Sequence, residues 1–406
     1  MMDLASFRQL LTPAGQEALS AAQALHLHPA TVPREVDFLG LFTHLQRFYP
    51  TELARAALEM AILRAEAVEK FPDAGRLYFT RPALEQASGT PVAAYRAQRF
   101  AGYTRLADLG CSIGGDTLAM AQAGTTQVIG IDQDLLRLEM ARANLASRDC
   151  GNAQVVAADL TRQLPFRLDV DVGLFFDPGR REASGERIHS VNAYHPPLQI
   201  IEGWLERCPN LGVKLSPGVD LAELAAYDAE IEFVSYKSEL KEAVLWFGPL
   251  KSAIRRATLL PGPHTLAGDP AAEATAHLDQ PRQYLYEPDP AVLRAGLVRN
   301  LARQHGLAQL DPEIAYLTGD CLVQTPFARA WRVEAWFPFN LKRLRAELRA
   351  RGVGEVVVKK RGSPLQPEKL IQALRLKGSQ SCLVFLTQVK GKPTAILGNW
   401  LDLPGA

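Results

Sequence analysis

At 406 residues the chain exceeds one ordinary core and leaves room for two or three domains, at roughly 100 to 200 residues each. An apolar fraction of 47% with 22% charged residues is the composition of a soluble globular protein, and a net charge of +1 announces no partner for the chain as a whole. Five cysteines without paired spacing indicate neither a disulfide framework nor a zinc site, and no apolar run approaches the roughly 18 residues that span a bilayer.

The N-terminus, "MMDLASFRQLLTPAGQ", lacks the apolar core and small-residue cleavage site of a secretion signal. With the cysteine usage this places the protein in the cytoplasm. Residues 1 to 100 read as a helical domain. "PTELARAALEMAILRAEAVEKF" has apolar residues at helical spacing with Thr51 placed to cap, and "TRPALEQASGTPVAAYRAQRF" gives two short helices parted at Gly89-Thr90-Pro91, the first capped by Thr80.

From Thr104 short apolar runs alternate with helix-length segments: "TRLADLG", "TQVIGID", "AQVVAADL", "DVGLFFDP", "LGVKLSP", "IEFVSY" and "EAVLWFG". Strand, helix, strand in this order predicts right-handed parallel crossovers and a doubly wound α/β sheet. Only "KSELK" parts the last two runs, which predicts an antiparallel hairpin at the sheet's edge. The expected arrangement is a seven-stranded Rossmann-like sheet over residues 101–260, a linker or irregular segment over 261–290, and a small α/β domain over 291–406. In that last part "AVLRAGLVRNLARQHG" reads as a helix and "EVVVKKRG" as a strand entering a basic loop.

The glycine turn "LADLGCSIGGDTLAMA" is built to hold a polar ligand, and both a dinucleotide and S-adenosylmethionine use such a strand, turn and helix N-terminus. In a dinucleotide fingerprint the middle glycine admits the pyrophosphate. Here the matching positions are Gly110, Ser112 and Gly115, so the middle one carries a side chain. Asp108 adds a carboxylate better suited to an ammonium or sulfonium than to a diphosphate. Asp132, at the end of the second strand, can accept from both ribose hydroxyls, which suits either ligand. Asp159, at the end of the third, can accept from an adenine amine. Together with Gly114 and Asp116 at the helix start, this set favours S-adenosylmethionine.

The fourth strand ends "LFFDPGRR", and the segments "FTRPALEQASGTPVAAYRAQR", "ADLGCSIGGDTLAMA", "DPGRR", "VKLSPGV", "FVSYKSELKEAVLWFG", "RRATLL" and "VKKRG" run through nearly the whole chain. In that combination the sequence resembles the bacterial class I S-adenosylmethionine-dependent methyltransferases with a C-terminal THUMP-like domain. It departs from the family at Ser112 and at Gly179 of the "DPGRR" segment, and neither change removes a polar group the chemistry needs. The resemblance implies that Asp177-Pro178 hold a target amine with its lone pair toward the methyl group, with Arg180 at the same strand end. Arg180 and Arg181 are then candidates for a substrate phosphate or carboxylate, Arg180 as part of the catalytic set with Asp177 and Pro178. The glycine turn is also similar to that of the RNA cap guanine-N2 methyltransferases, but Gly179 stands where those carry a stacking aromatic. Uracil-5 methyltransferases need a cysteine after the fifth strand, where this chain has Ser216.

THUMP domains bind RNA, so the resemblance implies a tRNA or rRNA substrate. The charge distribution points the same way. Residues 281–406 hold 19 Lys and Arg against 10 Asp and Glu, and Arg329 to Lys377 hold 13 against 4, with Trp331, Trp336, Phe337 and Phe339 interleaved. Those aromatics also fit a core. Lys359, Lys360 and Arg361 are the sharper RNA candidates, because three consecutive cations are costly to bury. His195 is a structural histidine, a pocket residue or a base; Cys111 is a packing residue or a thiol of lowered pKa; Gln86, Tyr95 and Arg96 are placed to cover the donor site. The sequence thus predicts a methyltransferase acting on an RNA base nitrogen without a metal. The alternatives are a non-catalytic RNA-binding protein that keeps the fold, or a methyltransferase for a protein or small molecule.

Overall fold

The computed structural model describes residues 2–25, 35–179, 190–272 and 277–401. The chain divides into two compact units, Met1–Glu230 with Glu242–Ser252, and Ile231–Lys241 with Ala253–Ala406. The first begins with helices α1 (Leu4–Leu10), α2 (Pro13–Gln23), α3 (Glu35–Leu45), α4 (Thr51–Ala67), α5 (Arg81–Gln86) and α6 (Thr90–Arg99). Local chemistry sets several of their starts: Asp3, Thr12 and Thr80 each accept a first-turn N–H, and Pro follows at the opening of α2 and α5. The cap of α4 is Pro50 rather than Thr51, which is already helical.

The sheet of this unit contains β1 (Arg105–Leu109), β2 (Gln127–Asp132), β3 (Ala153–Ala157), β4 (Val172–Phe176) and β5 (Leu211–Leu215), parallel in the order β3-β2-β1-β4-β5. Helices α7 (Gly115–Gln122), α8 (Leu135–Ala146) and α9 (Ile201–Leu205) lie between strands in sequence. After β6 (Glu230–Tyr236) comes β7 (Glu239–Trp246), which runs antiparallel to β5. Every residue of β4 and β5 is buried. Such wholly buried strands are expected in a parallel sheet covered on both faces.

The N-terminal helices share their core with the sheet region, since Leu58, Leu63, Phe71 and Phe79 cluster with Ile113 and with Met140 of α8. Buried Asn144 on α8 accepts from Tyr78 N at 2.7 Å and donates to the carbonyls of Tyr78 and Ile113. The segment before the sheet is therefore packed against the glycine turn and is not a detached body.

The second unit departs from the expected layout. The hairpin is not a sheet edge, because β6 continues in parallel to β8 (Arg255–Leu260) and then antiparallel to β9 (His264–Gly268). The span 261–290, expected to be linker, contains β9 and β10 (Tyr284–Pro288). Its prolines and glycines sit largely at strand ends and turns, where they cost little. A seven-stranded sheet follows, with β11 (Ala308–Asp311), β12 (Ile314–Gly319), β13 (Ala328–Pro338), β14 (Val353–Lys360), β15 (Gln380–Val389) and β16 (Lys392–Asn399) in the order β11-β12-β10-β13-β16-β15-β14. The helix expected over "AVLRAGLVRNLARQHG" is broken at Gly296 into α10 (Pro290–Arg294) and α11 (Val298–His305). Helices α12 (Leu341–Ala350) and α13 (Pro367–Leu374) complete the unit. Among the described residues no helix is long and apolar enough to cross a membrane.

Glycines set the packing beneath the first unit's sheet. A Cβ on Gly173 would stand 2.5 Å from the Leu106 side chain, and one on Gly212 2.6 Å from the Trp246 ring. Phe100 and Trp246 meet edge to face at 5.7 Å on this surface. Gly212→Val is expected to cost about 1–3 kcal/mol by overpacking, read from the urea midpoint, whereas Gly151→Ala at an open surface position stays within about 0.5 kcal/mol.

Candidate active site

Strand β1 pairs in parallel with β2 on one side and β4 on the other, so the strand order reverses beside it. Open α/β sheets bind ligands at such a point, outside the carboxyl ends of the strands. A cavity of about 520 Å³ lies there, lined by the turn after β1 and by the residues that end or follow β2, β3 and β4. That volume accommodates a nucleoside-sized ligand.

The turn is held by close backbone approaches. Gly110 has φ of 85°, and a Cβ there would lie 2.6 Å from the Asp177 carbonyl oxygen, so only glycine lets β1 and β4 end together. Gly114, with φ of 81°, begins α7, and a Cβ there would press on Ala141 at 3.1 Å. No side chain caps α7. Gly115 and Asp116 of its first turn line the cavity, and a Cβ on Gly115 would meet nothing within 4 Å. An uncapped helix start opening on a cavity suits a ligand carboxylate.

The carboxylates expected from the sequence separate into two groups. Asp132 lines the cavity; its Oδ2 accepts from Ser112 N and its Oδ1 from Asp134 N, each at 2.9 Å. A carboxylate has about four acceptor sites, so each oxygen keeps one for a ligand hydroxyl. Asp159 also lines the cavity, two residues beyond the end of β3. The Thr161 hydroxyl and N–H both donate to its Oδ1 and hold its pKa below the usual carboxylate value. Asp116 is ion-paired with Arg96, which also pairs with Glu242. Burial alone would pull the Arg96 guanidinium's pKa down, but the two carboxylates outweigh it and push it up.

Asp108 and Gly114 do not line the cavity. Asp108 is 1% exposed behind the turn, where its Oδ2 accepts from the Thr117 hydroxyl at 2.6 Å and its Oδ1 is buried without a partner. Alternation along β1 turns this side chain into the protein, an orientation that strand position alone does not disclose. Burial and the negative Asp116 and Asp177 raise its pKa to about 8, against the Thr117 hydroxyl and Arg96. Cys111 lines the cavity yet is 5% exposed, and burial with Asp108 and Asp132 raises its thiol pKa well above normal, opposite to the effect of a helix start. Gln86 and Ser88 reach the cavity, whereas Tyr95 does not line it and Arg96 acts through Asp116.

Asp177, Pro178 and Gly179 form the cavity wall at the end of β4. Lys214, 3% exposed on β5, donates its Nζ to Asp177 Oδ2 at 2.6 Å. No motif points to this lysine; the one signal in the sequence is a charge inside the apolar run "LGVKLSP", which requires a partner. Gly179 forms an antiparallel bridge with His195, which lines the cavity with Pro196 and Pro197. Arg180 and Arg181 lie outside the described residues.

In the second unit Lys359 and Arg361 both pair with Glu287, and Lys359 also lies over the Trp331 ring at 4.7 Å. The three-cation surface expected from "VKKRG" is thus reduced to exposed Lys360, whose Nζ is 3.4 Å from Gln366. Trp331 and Phe337 are core at 1% and 2% exposure. Among the described residues no group of three His, Cys, Asp or Glu could hold a metal.

Asp108 makes stability depend on pH. Its folded pKa near 8 lies above the unfolded carboxylate value, so its contribution is complete below that unfolded value and is lost as pH rises through 8. The Asn isostere escapes this loss. The melting temperature of Asp108→Asn relative to the wild type is therefore expected to climb between about pH 4 and pH 8 and then level, as measured by thermal unfolding across that range.

Residues 106–177 match the methyltransferase domain family, residues 328–399 a THUMP domain-like family, and residues 3–67 a domain of unknown function (DUF8688). A crystal structure from Porphyromonas gingivalis W83 has the same fold, with a TM-score of 0.75 at 23% identity over 95% of this chain and 99% of that one. Two strains of Mycobacterium tuberculosis, CDC 1551 and H37Rv, each carry a protein described as an uncharacterized S-adenosylmethionine-dependent methyltransferase. Each is 35% identical to this chain over 344 residues, or 82% of this chain and 92% of the relative. With the glycine turn, the acids around the cavity and the Asp-Pro wall, this kinship shows that the chain belongs to the S-adenosylmethionine-dependent methyltransferases.

Proposed function

We propose that the protein transfers a methyl group from S-adenosylmethionine to a nitrogen of an RNA base in tRNA or rRNA. The observation that carries this reading is the Asp177 carboxylate, fixed by buried Lys214 in the wall of the donor cavity. The residues present fit the donor. The uncapped start of α7 suits its carboxylate, the remaining acceptor sites of Asp132 suit its ribose, and Asp159 suits its adenine amine. Gly110, Ser112, Gly114, Gly115 and Asp116 shape the turn that receives it, with Asp108 beneath them.

When bound, S-adenosylmethionine supplies a methyl group already activated on a sulfonium. What remains for the protein is positioning. Asp177 accepts an N–H of the target amine, Pro178 stiffens the strand end, and Lys214 holds the carboxylate in one orientation. Arg180 and Arg181 are assigned to the substrate on sequence grounds.

RNA as the substrate is supported by the THUMP-like match and by the excess of 19 basic over 10 acidic residues in the last part of the chain. Part of that charge is structural, since Arg345 and Arg349 donate to the carbonyls of Ala373 and Arg375. Exposed Lys342, Lys360, Lys369 and Lys377 carry no ion pair among the described residues and are the cations assigned to phosphates. We place this activity in the cytoplasm.

Two measurements test the reading. Asp132→Ala should weaken S-adenosylhomocysteine binding by about ten- to a hundred-fold in calorimetric titration, as expected for lost charge-assisted hydrogen bonds. Asp177→Ala and Lys214→Met should lower methyl transfer into bulk tRNA and rRNA by about a hundred-fold or more while leaving that binding within a few-fold. Wild-type binding of the cofactor product without transfer into either RNA pool would overturn the RNA assignment.

A further inference from the structure

The loop after the undescribed residues 180–189 returns to the cavity and is fixed there at several points. Val191 N donates to Glu223 Oε2 at 2.7 Å, and Ser216 N donates to the hydroxyl of wholly buried Tyr194 at 3.2 Å. His195 then exchanges two backbone hydrogen bonds with Gly179, of 2.9 and 3.0 Å. Residues paired in this way project their side chains to the same face of the ladder. A Cβ built on Gly179 would indeed fall 3.9 Å from the Cβ of His195 and 3.2 Å from its carbonyl oxygen. The glycine leaves the space beside Asp177 and Pro178 to the histidine.

Among the described residues two aromatic rings line the cavity, Phe176 and His195. Phe176 is 0% exposed, so it offers no open face to a ligand, and its ring forms a T-shaped pair with Trp204 at 5.1 Å. His195 is exposed. Its backbone is locked to the residue two positions after Asp177, and Pro196 and Pro197 line the cavity after it. An exposed planar side chain, carried on backbone bridged two residues past an acceptor carboxylate, matches what an unstacked base requires: one group to take its amine edge and one to cover its face.

We infer that His195 is the platform on which the substrate base stacks while Asp177 accepts from its amine. The inference rests on the RNA reading above and adds to it that the target is a splayed-out planar base, oriented by ring contact rather than by a proton exchanged with the imidazole. Removing the ring should raise KM for RNA far more than it lowers kcat. A flat ring without titratable nitrogens should restore it.

The test is steady-state methyl transfer from labelled S-adenosylmethionine into the RNA pool that the wild type modifies, with His195→Ala, His195→Phe and the wild type compared. S-adenosylhomocysteine titration checks that each variant is folded and its donor site intact. Stacking predicts a KM for RNA about 5- to 100-fold higher in His195→Ala, wild-type-like kinetics in His195→Phe, and one pH profile for all three. An unchanged KM in His195→Ala overturns the inference. So does a fall in kcat shared by His195→Phe with loss of a limb of the pH profile, which would make the imidazole an acid or base. If the wild type methylates neither RNA pool, the RNA reading fails and this inference fails with it, a result distinguished by its appearing before any variant is compared.

Discussion

The arrangement of the site depends on how closely β1 and β4 end together. The Gly110 backbone passes so near the Asp177 carbonyl that no side chain fits between them, and this contact lies where the strand order reverses. The turn that frames the donor cavity and the carboxylate assigned to the acceptor are thereby placed side by side by backbone geometry. Packing beneath the sheet preserves the register: Gly173 and Gly212 admit the Leu106, Phe100 and Trp246 side chains that separate a covering layer from the strands. The N-terminal segment adds rigidity through Asn144 of α8 and its bonds to Tyr78 and Ile113.

Charge in the first unit follows a consistent physical rule. A buried ion without a partner would cost several kcal/mol, so the buried cations are partnered: Arg96 meets Asp116 and Glu242, Lys214 meets Asp177, and Arg64 donates to the Leu77 carbonyl and the Gln23 side-chain oxygen. These pairs orient side chains more than they stabilise the fold, because desolvation offsets much of their attraction. Asp108 is different. It has the Thr117 hydroxyl on one oxygen and no bond to the other, so burial favours its protonated form up to about pH 8. A neutral acid under the turn keeps negative charge from accumulating beside Asp116 and Asp177.

The sequence made the sheet legible because each strand run is short, apolar and bounded by a turn or a helix, and because Gly110, Asp132 and Asp177 fall at the ends of such runs. Asp108 was misplaced toward the ligand because a strand-end acid looks the same whether its side chain faces the cavity or Thr117. The pairings that matter most join distant positions. Lys214 finds Asp177 across β4 and β5, His195 finds Gly179, and Lys359 and Arg361 find Glu287 from more than 70 residues away. Periodicity reports none of these. It also failed at β9 and β10, where proline and glycine at strand ends obscured short alternating segments.

Whether the Asp177 wall acts on an RNA base, as we propose, is decided by nucleoside mass spectrometry of tRNA and rRNA from cells with and without the gene. One methylated nucleoside is expected to disappear on deletion and to return when that RNA is incubated with the wild-type protein and S-adenosylmethionine, but not with Asp177→Ala. Identical nucleoside profiles from the two cell populations would contradict the proposal.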